Sequence, residues 1–413
     1  MSFLRYPKYK DSGVEWLGEV PEGWDVTKLK RLASLQSGDF ITGVSIQENG
    51  VYPVYGGNGL RGYCDTFTHD GFYALVGRQG ALCGNVNYAD GKFWASEHAV
   101  VVSPYQPTSV LWLGELLSAM NLGQYSISSA QPGLSVERIG DLRIPIPPEI
   151  ERRSIAAFLD RETGKIDALI GAQRRLIELL REKRQAVISH AVTKGLDPDA
   201  PMKDSGVEWL GMVPDEWGVS CIRRIFEICK RIAGEEGYDI LSITQRGIQI
   251  KNIESGDGQL SMDYSKYQIV DVGDFAMNHM DLLTGYVDVS PFFGVTSPDY
   301  RVFRFKKEKS FSAKFFLYIF QNAYKQKIFF PYGQGSAQLG RWRLPADEFN
   351  SFSLPVPPLP EQKVIAAFLD RETAKMDDLI TKAEQAITLL QERRSALISS
   401  VVTGKIDTRG EIQ

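Results

Sequence analysis

The chain of 413 residues carries a net charge of −4, and hydrophobic residues make up 43% of it. This length predicts two or three domains, because a single core rarely grows past about 250 residues. The hydrophobic and charged fractions are those of an ordinary soluble globular protein. The net charge does not decide whether a nucleic acid binds, because a polyanion responds to the local field of one surface.

The sequence shows neither a targeting segment nor a metal-binding pattern. The N-terminal stretch "MSFLRYPKYKDSG" lacks the apolar core of a secretory signal, and the longest uncharged run, "AVVVSPYQPTSVLWLG", contains two prolines that argue against a transmembrane helix. The four cysteines show no Cys-x-x-Cys spacing, and the four histidines do not cluster with them. We therefore expect a cytoplasmic protein without a zinc site.

In chain order, the first recognisable element is a segment that recurs. "KDSGVEWLGEVPEGWDV" at Lys10–Val26 returns as "KDSGVEWLGMVPDEWGV" at Lys203–Val219, which lies 193 residues later. Because identical aromatic residues precede two unlike regions, we predict that these residues pack inside a common scaffold and do not stack on a ligand. They are Trp16, Trp24, Trp209 and Trp217.

The first variable region, Thr27–Arg143, alternates short apolar runs with turn signals. "VYPVYGGNGLRGYCDTF", "FYALVGRQGALCGNVNY" and "FWASEHAVVVSP" predict short strands, and "SVLWLGELLSAMN" predicts a helix. Arginine can bind guanine through two hydrogen bonds, and asparagine or glutamine can bind adenine in the same way, so polar loop residues are candidates for contacts with DNA bases. The candidates in this region are Arg61, Arg78, Gln79, Asn85 and Gln131.

The next block predicts one long helix over Glu149–Thr193. The preceding "PIPP" cannot continue a helix, so Glu149 and Glu151 lie at the positive end of the helix dipole. Apolar residues then recur at steps of three and four, as in one helix of a coiled coil. A helix of about 40 residues forms a rod of about 60 Å. The predicted pairing seam of this helix comprises Ile155, Leu159, Ile166, Leu169, Leu176 and Leu180.

The second variable region, Ser220–Ser353, has no evident sequence similarity to the first. "QLSMDYSKYQIV", "GYVDVSPFFGV" and "DYRVFRFKK" predict strands, and "SAKFFLYIFQNAYKQKIF" predicts a helix. Lysines in "FKKEKSFSAK" and "YKQK" are candidates for phosphate contacts. The candidates for base contacts in this region are Gln245, Arg246, Asn278, Gln334, Gln338 and Arg341.

The chain closes with a second copy of the helical block. "IPIPPEIERRSIAAFLDRETGKIDALI" at Ile144–Ile170 returns as "LPVPPLPEQKVIAAFLDRETAKMDDLI" at Leu354–Ile380, which lies 210 residues later. Neither helix can cover its own apolar stripe, so we predict that the two pack antiparallel with pseudo-twofold symmetry, in a circular arrangement that brings the N- and C-termini together. The predicted seam of the second helix comprises Ile365, Leu369, Met376, Leu379, Leu390 and Leu397.

The sequence contains two fragments that resemble nucleotide-binding motifs, but each lacks a required part. Gly57–Gly62 matches Gly-x-Gly-x-x-Gly, but "YCDTF" follows it where a dinucleotide site needs a helix. "YGQGSAQLG" lacks the Gly-Lys-Ser/Thr of a phosphate-binding loop. The sequence also contains no nucleophile elbow, no His-Glu-x-x-His and no Asn/Asp-Pro-Pro-aromatic tetrapeptide. We therefore predict that the chain is not an enzyme.

Two unlike regions, each followed by a proline-rich motif and a long helix, resemble the specificity subunit of a type I restriction–modification enzyme. The resemblance covers essentially the whole chain. The first copy has Arg152 where the second copy and the family pattern have a glutamine, here Gln362, and we interpret this difference as a change at the surface. The motif stands at Ile144–Pro148 with Ile155–Asp167, and at Leu354–Pro358 with Ile365–Asp377.

The resemblance implies an α+β fold in which each variable region is a sheet-rich target recognition domain for one half of a bipartite, asymmetric DNA sequence. The two helices would act as the spacer that fixes the distance between half-sites. Two methyltransferase subunits that use S-adenosylmethionine and two translocase–nuclease subunits that use ATP and Mg would bind this chain, which itself would hold no cofactor. The implied segments are an N-terminal frame at 1–26, recognition domains at 27–148 and 220–358, spacer helices at 149–195 and 359–404, a linker at 196–219 and a tail at 405–413.

Two other functions remain as alternatives. The chain would be a coiled-coil adaptor if its variable regions bound proteins, and it would be a self-sufficient DNA enzyme if it methylated DNA unaided. Salt dependence distinguishes the first alternative, because binding to DNA weakens steeply as the salt concentration rises.

Overall fold

The computed structural model describes residues 4–80, 82–126, 133–252, 261, 263–335 and 342–411. The chain forms two compact units. Unit 1 comprises Met1–Arg174 together with Ala383–Gln413, and unit 2 comprises Arg175–Lys382. The helices are α1 (Val110–Ala119), α2 (Val136–Asp141), α3 (Glu149–Lys194), α4 (Ile222–Ile225), α5 (Ala313–Lys325), α6 (Ala346–Ser351) and α7 (Leu359–Val402).

Unit 1 contains two four-stranded sheets. Its strands are β1 (Tyr9–Asp11), β2 (Glu19–Pro21), β3 (Asp25–Lys28), β4 (Ala33–Ser37), β5 (Tyr52–Gly56), β6 (Gly59–Cys64), β7 (His69–Asp70), β8 (Tyr73–Gly77), β9 (Val86–Ala89), β10 (Lys92–Ala95), β11 (Ala99–Pro104) and β12 (Arg143–Ile146). One sheet has the order β4-β11-β8-β9 and is antiparallel throughout. The other has the order β6-β5-β10-β7, with β5 and β10 parallel. β1 pairs with β2, and β12 pairs with β3.

Unit 2 is built around one four-stranded antiparallel sheet. Its strands are β13 (Met202–Asp204), β14 (Met212–Pro214), β15 (Gly218–Cys221), β16 (Phe226–Cys229), β17 (Leu241–Thr244), β18 (Gly247–Ile250), β19 (Gln268–Val270), β20 (Phe275–Met277), β21 (Val287–Val289), β22 (Gly294–Thr296), β23 (Arg301–Phe305), β24 (Gln334–Gly335), β25 (Trp342–Arg343) and β26 (Ser353–Val356). The central order is β16-β23-β20-β21, and the other strands form the pairs β13–β14, β15–β26, β17–β18, β19–β22 and β24–β25.

The two variable regions share one topology although their sequences are unlike. The order β4-β11-β8-β9 in unit 1 matches β16-β23-β20-β21 in unit 2, strand for strand along the chain. Each central sheet is followed by a helix whose N-terminus is capped by a serine: Ser109 Oγ accepts from Trp112 N–H, and Ser312 Oγ accepts from Phe315 N–H. The predicted strands and both predicted helices of the variable regions are therefore confirmed where the structure describes them.

In each unit, one tryptophan of the repeated segment that precedes the variable region is hydrogen-bonded to the long helix. Trp24 is fully buried and donates its indole N–H to Glu151 at 2.9 Å, and Trp217 donates to Glu361 at 3.0 Å. Trp16 is half-buried against the core of unit 1. In unit 2 the ring of Trp209 is also half-buried, 5.4 Å from that of Phe352. The prediction that these aromatic residues pack within the scaffold is confirmed.

The long helices pair antiparallel within each unit. In unit 1, the beginning of α3 packs against the end of α7, and Asp167 Oδ1 lies 3.1 Å from Arg394 Nε. In unit 2, the end of α3 packs against the beginning of α7, and Arg184 Nε lies 3.2 Å from Asp377 Oδ1 without a well-aligned hydrogen bond. The two ion pairs are copies of each other, because Asp377 and Arg394 follow Asp167 and Arg184 by 210 residues.

The seam of this pairing differs from the predicted one at four positions. Leu169, Leu176 and Leu379 are 52%, 42% and 48% exposed, so assigning them to the seam was wrong, and Leu390 is only half-buried. Ile170 and Ile177 are buried in their place, because a straight helix of 3.6 residues per turn drifts away from a strict seven-residue repeat. The predicted seam residues that the structure buries are Ile155, Leu159, Ile166, Leu180, Ile365, Leu369, Met376 and Leu397.

The two ends of the chain meet in unit 1. The backbone N–H of Asp407 donates to the carbonyl of Leu4 at 2.9 Å, and the Tyr9 hydroxyl donates to the carbonyl of Gly404 at 3.0 Å. Ser154 in α3 also donates its hydroxyl to the Thr408 carbonyl at 2.6 Å. The predicted proximity of the N- and C-terminal segments is confirmed.

The difference between Arg152 and Gln362 is not a change at the surface. Gln362 is 1% exposed and donates its amide to the Pro357 carbonyl at 2.8 Å. Arg152 donates its Nε–H to the Pro147 carbonyl at the same distance, and its Nη1 donates to Thr108. Both side chains therefore hold the proline-rich turn that precedes each long helix, and the surface interpretation was wrong because the motif folds this position inward.

Candidate nucleic-acid interface

Three loops of unit 1 meet at the end of the central sheet where β8 ends and β11 begins. They are the β5–β6 hairpin turn at 57–58, the loop 78–85 between β8 and β9, and the turn 96–99 between β10 and β11. The Arg78 N–H donates to the His98 carbonyl at 2.8 Å, which joins the second loop to the third. Gly57 lies so close to the carbonyls of Gln79 and His98 that an added Cβ would be 3.1 and 3.3 Å from them.

The predicted base-contact residues of the first region lie in or beside these loops. Gln79 and Asn85 are exposed, and Asn85 donates its amide to Asn58 Oδ1 at 3.4 Å. Arg78 is half-buried, and its guanidinium donates to Ser37 Oγ at 3.1 Å. Arg61 is exposed on β6, across the hairpin from Gly56. The structure thus places Arg78, Gln79 and Asn85 in one loop and Arg61 on the neighbouring hairpin, and Gln131 lies outside the described residues.

Sequence reasoning missed further polar residues in the same loops. Asn58 lies in the hairpin turn, Asn87 on β9, and Glu97 with His98 in the turn before β11. His98 Nε2 is 3.1 Å from Glu97 Oε1. Within the described part of the chain, three buried atoms of this group have no hydrogen-bond partner: Asn87 Nδ2, Glu97 Oε2 and His98 Nδ1. The signal available in the sequence was the polar pair inside "FWASEHAVVV", between two apolar runs.

Unit 2 carries the corresponding loops at the corresponding end of its sheet. The carbonyl of Arg78 accepts from the Leu134 N–H in unit 1, and the carbonyl of His279 accepts from the Leu344 N–H in unit 2, both at 2.9 Å. The loop after β20 therefore corresponds to the loop after β8. A groove of about 660 Å³ opens here, with lining residues that include Asn278, Asp281, Ser297, Asp299 and Tyr300.

The predicted base-contact residues of the second region are more dispersed. Asn278 lines the groove, and its Oδ1 is a buried acceptor without a partner among the described residues. Gln245 and Arg246 are exposed at the turn between β17 and β18, and Gln245 donates its amide to the Thr284 carbonyl at 3.3 Å. Gln334 is exposed on β24. Gln338 and Arg341 lie outside the described residues.

A buried cationic group lies beneath this end of unit 2. Arg301 is 4% exposed, donates to the Leu344 carbonyl at 2.9 Å and places its guanidinium 4.5 Å from the centre of the Phe349 ring. Burial lowers the pKa of Arg301 to about 10, so the side chain remains charged at neutral pH. Burial, together with the charges of Arg301 and Arg343, lowers the pKa of His279 to about 3. His279 is therefore neutral, and the positive charge of Arg301 lies beneath a groove that the carboxylates of Asp281 and Asp299 line.

The lysines suggested for phosphate contacts lie at the other end of β23. Lys306, Lys307 and Lys309 are exposed just after this strand ends, whereas the groove lies where the strand begins. Lys314 forms an ion pair with Asp370 of α7. Burial lowers the pKa of Lys325, which lies near Arg184 of α3 and Asp377 of α7. The structure therefore does not bring these lysines together with the candidate base-contact residues.

The structure also places the motifs and side chains that the sequence suggested as candidates for cofactor or metal binding. Gly57–Gly62 lies in the antiparallel β5–β6 hairpin and does not lead into a helix, which a dinucleotide site needs. Among these residues, no group of three or more His, Cys, Asp or Glu side chains is placed to hold a metal ion, and all four cysteines are free. No helix in the described ranges is both long enough and apolar enough to cross a membrane.

Two domains of one topology, with unlike polar loops and a duplicated helical scaffold, define a protein with two distinct recognition surfaces. The family model for the type I restriction modification DNA specificity domain matches residues 21–179 and 214–389. These matches cover most of the chain, which therefore belongs to this family.

Comparisons with individual proteins agree with this assignment. The specificity subunit of the type I restriction enzyme EcoprrI from Escherichia coli is 43% identical over 162 residues, which are 38% of this chain and 40% of that protein. The EcoBI specificity subunit, also from E. coli, is 21% identical over 309 residues, 70% of this chain and 63% of that protein. The matched stretches thus span less than two thirds of either relative.

A solved structure shares the fold across nearly the whole chain. It comes from work on the complex assembly and conformational transition of the type I R-M system. Its TM-score is 0.65 at 13% identity, and the alignment covers 93% of this chain and 98% of that one. At this identity the likeness establishes the architecture, a mixed α+β fold with long helices.

Proposed function

We propose that this chain is the DNA-recognition subunit of a type I restriction–modification complex, that it recognises a bipartite, asymmetric target, and that it is not itself an enzyme. The observation that carries the proposal is the pairing of one shared topology with two unlike sets of loops. Scaffolds of the same topology with different polar side chains at the same end of the sheet are suited to reading two different base sequences. The expected compartment is the cytoplasm, where the target DNA of such a system lies.

The partners in this proposal are two methyltransferase subunits and two translocase–nuclease subunits. The scaffold supports a pair of identical partners, because it presents the same exposed leucines twice. Leu169 recurs as Leu379 and Leu179 recurs as Leu389, each 210 residues later, and all four are exposed on the long helices. Exposed apolar side chains in matched positions fit two copies of one partner. S-adenosylmethionine, ATP and Mg would be bound by these partners.

Selection from a randomised duplex library by the purified full chain tests the proposal. We expect a motif of two specified blocks separated by unspecified positions, with an affinity that falls steeply between 50 and 200 mM salt, by about 10³-fold or more for at least six phosphate contacts. Little affinity for DNA with a weak response to salt would indicate the protein-binding adaptor instead. Methylation of DNA by the chain alone with S-adenosylmethionine would indicate a self-sufficient enzyme.

Exchanging domains tests the assignment of half-sites. Replacing Thr27–Arg143 with the corresponding region of a relative should change one block of the selected motif and leave the other block and the spacing unchanged. Inserting about one helical turn into both α3 and α7 should change the spacing and leave both blocks unchanged. Altered blocks with constant spacing would contradict the role of the helices as a spacer.

A further inference from the structure

A tight turn precedes the second strand of each central sheet. In unit 1 the turn joins β10 to β11, and the Ala99 N–H donates to the Ser96 carbonyl at 2.9 Å. In unit 2 the turn joins β22 to β23, and the Tyr300 N–H donates to the Ser297 carbonyl at 3.0 Å. We call these the first and second reading turns, and each carries one carboxylate, Glu97 or Asp299.

Only one of the two carboxylate oxygens in the first reading turn has a polar contact. Glu97 Oε1 lies 3.1 Å from His98 Nε2, while Glu97 Oε2 is buried and has no hydrogen-bond partner among the described residues. A buried acceptor without a donor is unfavourable and rare in folded proteins. The Glu97 side chain as a whole is 29% exposed, so a ligand can reach its carboxylate group after a rotation of the terminal torsion. A hydrogen-bond donor supplied by that ligand would gain more here than at a solvated carboxylate.

The DNA surface offers few donors to such a carboxylate. Phosphate groups are anionic and repel it, whereas the amino groups of adenine and cytosine are donors in the major groove. Guanine and thymine present only acceptors at the corresponding positions. A carboxylate that reads bases in the major groove therefore favours adenine or cytosine.

The second reading turn also carries a carboxylate, but this one is exposed at a groove. Asp299 is exposed and lines the groove of about 660 Å³. Asn278 lines the same groove, and its Oδ1 is a buried acceptor without a partner in the described ranges. In unit 1 the unpaired acceptor belongs to the turn carboxylate itself, whereas in unit 2 it belongs to Asn278, which lines the same groove as the Asp299 carboxylate.

We propose that the two reading turns are specificity-determining elements that each select a base with an amino group in the major groove, adenine or cytosine, through Glu97 in one half-site and Asp299 in the other. This inference rests on the proposed function and deepens it, because it names the chemical class of base at one position of each half-site. Adenine and cytosine share the donor, and the selected motif distinguishes between them.

The test uses the full chain and selection from a randomised duplex library, with Glu97→Gln and Asp299→Asn as the variants. The amide keeps the shape of the carboxylate but presents a donor as well as an acceptor, so it also accepts guanine or thymine. We expect the preference for the amino-bearing base to fall by about tenfold, within the range that one base contact contributes, at one position of one half-site. Each variant should leave the half-site of the other domain unchanged.

Matched controls remove a negative charge elsewhere in each domain. Glu137→Gln in α2 and Asp347→Asn in α6 change exposed carboxylates at equivalent positions, 210 residues apart, and should leave both half-sites unchanged. Glu97→Asp keeps the carboxylate and should retain the preference for an amino-bearing base with reduced strength. If Glu97→Gln and Glu97→Asp lose the preference equally, the carboxylate is not the reading group and the inference is overturned.

The remaining outcomes separate the inference from the function on which it rests. A wild-type chain that selects no sequence contradicts the proposed function. A wild-type chain that selects a bipartite motif, with Glu97→Gln and Asp299→Asn selecting the same motif at the same strength, contradicts this inference alone. A uniform change in base preference at all positions of the motif, if the control variants reproduce it, also contradicts the inference. Such a change would show a general effect of charge.

Discussion

Two leucines of α7, ten residues apart, test the position of the pairing seam. Leu369 is fully buried in the core of unit 2, whereas Leu379 is 48% exposed on the same helix and in the same unit. The substitution Leu→Ala is identical at both positions and changes helix propensity equally. Any difference between the two variants therefore measures packing.

The expected magnitudes follow from burial. Losing a fully buried leucine side chain removes about 2 kcal/mol of transfer free energy, and the residual cavity raises the total to about 3 kcal/mol. For a unit of about 200 residues, 1 kcal/mol lowers Tm by about 2–4 °C, so Leu369→Ala should lower the Tm of unit 2 by about 6–12 °C. Leu379→Ala should change it by less than about 2 °C, as surface substitutions do.

Differential scanning calorimetry of the full chain measures these shifts, because it resolves the transitions of separate units where a two-state treatment fails. Leu159→Ala and Leu169→Ala repeat the comparison in unit 1, where Leu159 is 3% and Leu169 is 52% exposed. Equal shifts for the buried and exposed leucines would refute the observed seam and favour a strict seven-residue repeat.

Three further predictions concern the contacts that hold each unit. Trp217→Phe removes the indole hydrogen bond to a carboxylate of α7 and should destabilise unit 2 by about 1.5–3 kcal/mol in calorimetry; an unchanged Tm would contradict it. A double-mutant cycle of Arg394→Ala and Asp167→Ala should give a coupling of about 0.5 kcal/mol, because the pair is partly exposed, and no coupling would show that the ion pair contributes nothing. Burial and neighbouring guanidinium groups lower the pKa of His279 to about 3. The contribution of neutral His279 to the free energy of unfolding is therefore fully present above pH 6.5, and it falls by about 1.4 kcal/mol per pH unit as the pH drops toward 3. His279→Gln should reduce the loss of Tm between pH 7 and pH 5 relative to the wild type, and identical pH profiles would refute this assignment.

The sequence predicted the scaffold because repetition and periodicity are visible along the chain. The long helices begin and end within a few residues of the expected positions, and the ends of the chain meet as the order of the repeats required. The central residues of the seam were mispredicted because apolar residues at both 169 and 170 fit a helical repeat, and only the packing decides which one is buried.

The candidate interface was only partly predictable, for a different reason. Arg78, Gln79 and Asn85 share one loop and were visible as a polar cluster. Glu97 and His98 belong to the same surface only because β10 pairs with β5 in parallel and β11 with β8, which brings the hairpin turn and the reading turn together. The sequence shows a polar pair between two apolar runs at this point, but only the long-range strand pairing shows that the pair joins the other loops.

The distribution of contacts explains why the scaffold repeats while the loops do not. The repeated residues contact each other through their side chains: Trp24 donates to Glu151, and Asp167 pairs with Arg394, each contact with a copy in the other unit. A change in one member of such a pair leaves the other member unsatisfied, so both are constrained together.

Main-chain hydrogen bonds hold the loops at the end of the sheet, and these bonds do not depend on the loop side chains. The bond from Leu134 N–H to the Arg78 carbonyl and its counterpart between Leu344 and His279 are made by the main chain. Main-chain bonds hold the loop in place whatever residue occupies the position, as the unlike pair Arg78 and His279 shows. Each variable region can therefore exchange its loop side chains, and under the proposed function its half-site, without disturbing the contacts that build the scaffold.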